Sequence, residues 1–267
     1  MSAAAAGRFS DLAPRLLTAA FLLLIGGAAV WFGGLAFVLL IAACTGIMLW
    51  ELATMLGAQR RVALALGASG GSAVILSSEL PVGFALPLLL LVPMLGIALL
   101  RLHRRIYMSF SVVIVLAGLA LTRHLTEFGL VWTLWLILVV IASDVLGYFA
   151  GRILGGPKFW PRVSPKKTWS GTIAGWIGAA LVGAGFVLAE GVGWELVGIS
   201  VALAMMAQMG DIAESAVKRK VGVKDSSQLL PGHGGLFDRF DALLGAAVML
   251  FVIESLSEFP PMPGLVE

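Results

Sequence analysis

Between Arg15 and Glu51 the chain reads LLTAAFLLLIGGAAVWFGGLAFVLLIAACTGIMLW over residues 16–50, without one charged side chain. A membrane helix takes about 20 apolar residues, so this run is long enough for two spans. The Gly33-Gly34 pair marks the expected break between them. The same alternation of apolar runs and short polar joints continues outward. It gives nine candidate spans, at 16–33, 35–50, 62–78, 82–100, 107–122, 128–150, 168–189, 194–210 and 242–257. Pro81, Pro87 and Pro93 predict kinks around the third and fourth. With 60% hydrophobic and 12% charged residues, the chain is read as an all-α polytopic membrane protein and not as a soluble enzyme.

The charges orient the spans. With the N-terminus in the cytoplasm, the cytoplasmic segments are 1–15, 51–61, 101–106, 151–167 and 211–241, and they hold 17 of the 18 Lys and Arg residues. Arg123 is the exception. Seven of the nine glutamates fall on the other side: Glu79, Glu127, Glu190, Glu195, Glu254, Glu258 and Glu267. This asymmetry predicts an odd number of spans and an outer C-terminus. The net charge of +3 is then explained by basic loops beside anionic membrane lipids, and no nucleic acid partner is expected. Arg8 and Arg15 before an apolar run would also suit a signal peptide, but an uncleaved first span preserves the charge pattern downstream. The single cysteine, Cys44, excludes an internal disulfide framework.

The chain is expected to divide into an N-terminal scaffold half, 1–106, and a C-terminal working half, 107–267, whose cytoplasmic loops are 151–167 and 211–241. Gly171, Gly175, Ala179 and Gly183, four residues apart, form a small-residue stripe that admits another helix, in the same chain or in a second protomer.

Chemistry concentrates in the working half. Asp144 lies near the cytoplasmic end of a span, where an ionisable group is costly and commonly faces a polar cavity; pairing with Arg152 is the plainer alternative. Ser164-Pro-Lys166-Lys167-Thr168 leads into a span, so hydroxyls, two lysines and a helix N-terminus form either an anion cradle or a lipid-headgroup anchor. Four of the six aspartates, Asp211, Asp225, Asp238 and Asp241, fall within residues 211–241. If the helix ending at Asp211 continues, Glu214, Ser215 and Lys218 share its face. Asp238 and Asp241, three apart, share the start of the next helix. Carboxylates from two helices suit Mg²⁺, a hard ion that retains water or phosphate ligands. Lys218, Arg219, Lys224 and Arg239 would neutralise phosphate oxygens. Pro231-Gly232-His233-Gly234-Gly235 permits unusual dihedrals or close approach of backbone to a ligand. A histidine zinc site is not expected, because His103 and His124 are assigned to opposite membrane faces.

The pattern Ser215-x-Val217-Lys218-Arg219-x4-Lys224-Asp225-x-Ser227-x2-Leu230-Pro231-x-His233-Gly-Gly-Leu236-x-Asp238-Arg239-Phe240-Asp241 resembles the full signature of the phosphatidate cytidylyltransferases (CDP-diacylglycerol synthases). Asp144 through Arg152 and Ser164 through Gly171 resemble the same family, although Ser170 stands where an acidic residue is common. The resemblance covers 144–241. It implies transfer of the cytidylyl group of CTP to phosphatidic acid, Mg²⁺ dependence, a homodimer, and a site open to the cytoplasm and inner leaflet. It also implies metal binding by Asp211 and Asp238, in a paired centre that can include K⁺. On that expectation Asp144 and Asp241 support the metal or orient bases. Lys166, Lys167, Lys218, Arg219, Lys224 and Arg239 hold phosphates, with Ser164 and Thr168 beside them. His233, Gly234 and Gly235 shape the nucleotide pocket. Asp225 either reads cytosine or ribose or pairs with Lys224. A CTP-dependent polyprenol-type kinase is the rival enzyme, and an anionic-lipid transporter or binder the rival from another class. The transporter suffers because the charges gather at one face and not at the midplane.

Overall fold

The computed structural model describes residues 12–261, with side chains from residue 16 onward. The basic segment 1–15 expected in the cytoplasm and Glu267 lie outside the described side chains. Helix α1 is Leu12–Phe32, α2 Gly34–Met55, α3 Arg60–Ser78, α4 Val82–Leu99 and α5 Arg104–Ile153. Strands β1, Lys158–Trp160, and β2, Ser164–Thr168, follow, then α6 Trp169–Glu190, α7 Glu195–Val221 and α8 Phe237–Leu256. Among the described residues, six helices (α2 to α7) are long and apolar enough to cross a membrane.

The breaks between helices have local causes. Gly33 and Gly34 take φ of 61° and 49°, a region costly for residues with a Cβ, and so α1 ends where the glycine pair predicts. Helix α5 has 50 residues, about 75 Å at 1.5 Å per residue and more than twice a bilayer core. It is interrupted at Gly129, with φ 80° and ψ −170°, at the start of the segment expected as the sixth span. Pro87 and Pro93 stand inside α4, which continues through both.

The expected all-α fold is corrected at one place. Residues 158–168, within the polar loop 151–167 and its edge, form a two-stranded antiparallel hairpin, with Lys158 opposite Thr168 and Trp160 opposite Ser164. Serine, proline and two lysines give this strand no apolar alternation, and its register is tied instead to the helix that follows: the Trp169 amide donates to the Pro157 carbonyl at 3.0 Å.

The chain forms two compact units, neither continuous in sequence. The first comprises 1–126 and 221–240; the second comprises 127–220 and 241–267. In the first, α2 and α3 cross where glycine faces glycine: a Cβ on Gly67 would lie 2.6 Å from the Gly46 carbonyl oxygen. Arg123, the basic residue on the wrong side of the charge pattern, donates to the Leu80 carbonyl between α3 and α4, which gives its charge a fixed acceptor. In the second, Trp135 is fully buried and its indole N–H donates to Ser200 Oγ at 3.0 Å. The glycine stripe of α6 is consumed within this unit. A Cβ on Gly175 would stand 2.8 Å from Ser143 Oγ and 2.6 Å from Gln208 Nε2, and one on Gly183 would stand 2.6 Å from Ser200 Oγ.

Candidate active site

Helix α7 runs through Asp211 to Val221, as the expected shared face requires. Asp211 Oδ2 lies 2.5 Å from Lys167 Nζ, and its Oδ1 accepts from Ser215 Oγ at 3.4 Å. Lys167 also donates to the Gln208 carbonyl at 3.3 Å, so strand β2 is fastened to α7 one turn before the aspartate. Gln208 spans three elements: its Oε1 accepts from Trp176 Nε1 at 3.1 Å, and its Nε2 donates to Ser143 Oγ and the Thr172 carbonyl, each at 3.3 Å. Ser143 precedes Asp144, so this amide bonds the hydroxyl of the residue next to the Asp144 carboxylate. Arg152 turns to Tyr148, donating to its hydroxyl at 2.7 Å.

Asp211 is close enough to interact electrostatically with both Asp144 and Asp241. Two glycines permit this. Gly210 packs directly on the Asp241 carbonyl, and a Cβ there would also come within 3.3 Å of the Gly245 amide; Gly245 in turn packs on the Met206 carbonyl. The backbones of α7 and α8 therefore meet without side chains between them, next to the two aspartates. Lys218, expected on phosphate, pairs with Glu214, which is fully buried on the same helix.

The expected anion cradle at α6 is partly committed. Thr168 caps the helix, accepting from the Gly171 amide at 3.2 Å, and is 3% exposed. Lys166 is exposed and Ser164 is half-buried.

The second cluster lies in the first unit and is built on the loop before α8. Leu230-Pro231-Gly232-His233 is a tight turn: the His233 amide donates to the Leu230 carbonyl at 2.9 Å, with Gly232 at φ 76° after a proline, the arrangement of a type II turn. The Leu230 amide then returns to the Gly234 carbonyl at 2.8 Å. Asp238 is buried beneath this turn. Its Oδ2 accepts from the Ser226 amide at 2.8 Å, Ser226 Oγ at 3.0 Å and the Gly235 amide at 2.8 Å. Gly234 has φ 82°, and a Cβ there would lie 2.8 Å from the same oxygen. The unusual dihedrals expected here are present at Gly232 and Gly234, and Gly234 also packs closely on the Asp238 carboxylate. Lys224, Asp225, Arg219 and Arg239 are exposed, and His233 is half-buried.

Glu51, at the end of α2, was not expected to contribute. It is fully buried and receives four donors from residues 226–237. Its signal was present in the charge pattern: Glu51 and Glu214 are the two glutamates that fall within the basic polar segments of the sequence, and both are completely buried.

Residues 13–256 match the Cytidylyltransferase family. The chain belongs to that family. Among curated proteins, this cytidylyltransferase-family chain is 43% identical over 164 residues to a phosphatidate cytidylyltransferase of Brucella suis biovar 1 (strain 1330), covering 60% of this chain and 58% of that protein. It is 43% identical over 129 residues to one of Helicobacter pylori (strain J99), covering 48% of each chain. It is 37% identical over 137 residues to one of Bacillus subtilis (strain 168), covering 50% of this chain and 51% of that protein. The chain thus spans about half to three-fifths of the length of these curated relatives.

Proposed function

We propose that this protein is an integral membrane phosphatidate cytidylyltransferase, which joins CTP and phosphatidic acid to give CDP-diacylglycerol and pyrophosphate. The observation that carries the reading is the construction of the 226–238 loop. Its residues carry the family signature, and three donors to one oxygen of Asp238 hold it in a single shape. Relatives sharing up to 44% identity bear the name phosphatidate cytidylyltransferase.

In this reading a phosphate oxygen of phosphatidic acid attacks the α-phosphorus of CTP, the bond to the bridging oxygen breaks, and pyrophosphate leaves with that electron pair. A largely ionised phosphate monoester needs no base to deprotonate it. The chain's task is to hold two polyanions together. Lys166, Lys167, Lys218, Arg219, Lys224 and Arg239 bind phosphates, with Ser164 and Thr168 at the edge. His233, Gly234 and Gly235 line the nucleotide pocket, and Asp225 contacts cytosine or ribose.

Asp211 and Asp238 are the proposed ligands of Mg²⁺, with K⁺ as the second ion of a pair. Among the described residues no three His, Cys, Asp or Glu side chains gather as a metal site. Carboxylate oxygens are the ligand type of a hard ion whose remaining positions are filled by phosphate and water oxygens, as Mg²⁺ favours. When bound, the ion neutralises phosphate charge and pyrophosphate leaving charge. Asp144 and Asp241 position Asp211 and the lysines around it.

The proposed topology has nine spans, a cytoplasmic N-terminus, and the active site at the cytoplasmic face of the inner membrane. The working form is a homodimer surrounded by anionic membrane lipids. The deciding experiment supplies purified protein with Mg²⁺, phosphatidic acid, and CTP labelled at the α- or γ-phosphate. Label entering lipid from α-labelled CTP alone, with γ-label released as pyrophosphate, is expected. Lipid label from the γ-phosphate in the presence of a polyprenol or diacylglycerol acceptor would instead mean a kinase.

A further inference from the structure

Glu51 belongs to a helix of the N-terminal half, yet its carboxylate is enclosed by the signature loop. Oε1 accepts from Ser227 Oγ at 2.6 Å and from the Leu236 amide at 2.9 Å. Oε2 accepts from the Phe237 amide at 2.7 Å and from Ser226 Oγ at 3.3 Å. The Ser226 hydroxyl is shared with Asp238 Oδ2, at 3.0 Å, and so links the two carboxylates. Gly235 packs against this centre: a Cβ there would stand 2.7 Å from Glu51 Oε1. The side chain is 0% exposed, so it reaches the outside only through the loop it holds.

We propose that Glu51 is a positioning residue for nucleotide binding. By accepting from both ends of residues 226–237, it fixes the conformation in which the Pro231–Gly235 turn meets the phosphates and base of CTP. This role rests on the cytidylyltransferase reading above. The geometry makes the carboxylate hard to replace. Each oxygen takes a backbone amide and a hydroxyl, so a glutamine in either orientation sets its NH₂ group against a backbone N–H. An unpaired buried donor is then unavoidable, and the loop must shift to relieve it.

The test compares wild type with Glu51→Gln, both purified in detergent and shown to be folded by a single size-exclusion peak. Amide hydrogen exchange is read at Leu236 and Phe237, and initial rates are read against CTP and phosphatidic acid separately. Glu51→Gln is expected to lose protection at those amides and to lower kcat/KM for CTP by about 10- to 100-fold, mostly through KM. The KM for phosphatidic acid should stay near its wild-type value. Glu51→Asp, which keeps the charge, should recover part of the CTP affinity. Unchanged exchange in Glu51→Gln overturns the proposal, as does lost protection with an unchanged KM for CTP. If Glu51→Gln is not recovered folded, Glu51→Asp carries the same two readouts, with smaller shifts in the same direction expected. If wild type makes no CDP-diacylglycerol at all, the enzymatic reading fails by itself. Exchange with and without Mg²⁺ and CTP then decides the role of Glu51: added protection of 226–237 in wild type but not in the variant sustains it, and equal behaviour of the two overturns it.

Discussion

Lys167 Nζ lies 2.5 Å from Asp211 Oδ2, which joins a lysine of the β-hairpin to the aspartate at the point where α7 passes from apolar to polar sequence. Both side chains are about a quarter to a third exposed, at 25% and 35%, so the pair contributes little to stability, about 0–1 kcal/mol. Its value is geometric. Lys167→Ala and Asp211→Asn should each lower kcat/KM by about 100-fold or more, with a thermal midpoint close to wild type. The double variant should lose no more than the worse single one, because the two groups act as a unit. Initial rates of CDP-diacylglycerol formation for the four proteins check this, and fully multiplying losses would refute the coupling.

Asp238 combines a structural and a proposed chemical task. Asp238→Asn puts an NH₂ group or a single carbonyl oxygen where one carboxylate oxygen takes three donors. The cost is expected to be about 1–3 kcal/mol of stability, together with loss of cytidylyl transfer. Lipid binding should survive in part. Thermal unfolding in micelles and a phosphatidic acid binding assay separate the two effects; full turnover in the variant would remove Asp238 from the metal.

Two glycines of the loop before α8 should respond differently. Gly232→Ala must hold a positive φ of 76°, a cost of about 1–2 kcal/mol. Gly235→Ala places a Cβ 2.7 Å from Glu51 Oε1 and 2.9 Å from its Cδ, inside a buried centre with no room to yield. Gly235→Ala is therefore expected to be the less stable and the less active. Parallel melting curves and CTP saturation curves test that order, and equal behaviour contradicts it.

The topology can be read with single cysteines in a Cys44→Ser background. A cysteine at Glu79 or Glu190 should react with an impermeant maleimide added to intact cells. One at Lys158 or Lys224 should react only after lysis. The reverse pattern would invert the protein and dismiss the proposed cytoplasmic site.

Much of the fold was legible because span length and loop charge are local properties. The Gly33-Gly34 break is visible as two adjacent residues without Cβ, and the structure places both at positive φ. Residue spacing gave the shared face of Asp211, Glu214, Ser215 and Lys218 on condition that the helix continued past 211; it does, and the Ser215 hydrogen bond and Glu214–Lys218 pair accompany it. The hairpin at 158–168 was not legible, because its lysines, serine and proline carry no period-two apolar pattern and pairing depends on the adjoining helix. Glu51 escaped for a different reason. Its partners are 175 to 186 residues away, and nothing near it in sequence announces them. The stripe on α6 announced a close helix crossing, and only three-dimensional placement identifies its neighbours as Ser143, Gln208 and Ser200.

The nesting of the two units has a consequence for biosynthesis. Residues 127–220 of the second unit interrupt the first, whose missing piece is 221–240. A growing chain therefore makes Glu51 long before the amides that will enclose its carboxylate have left the ribosome. Until then the anionic head must remain hydrated at the membrane edge, and the first unit stays unfinished. The polar loop is the closing piece of that unit, so a chain truncated before residue 221 would lack all four donors that enclose the Glu51 carboxylate.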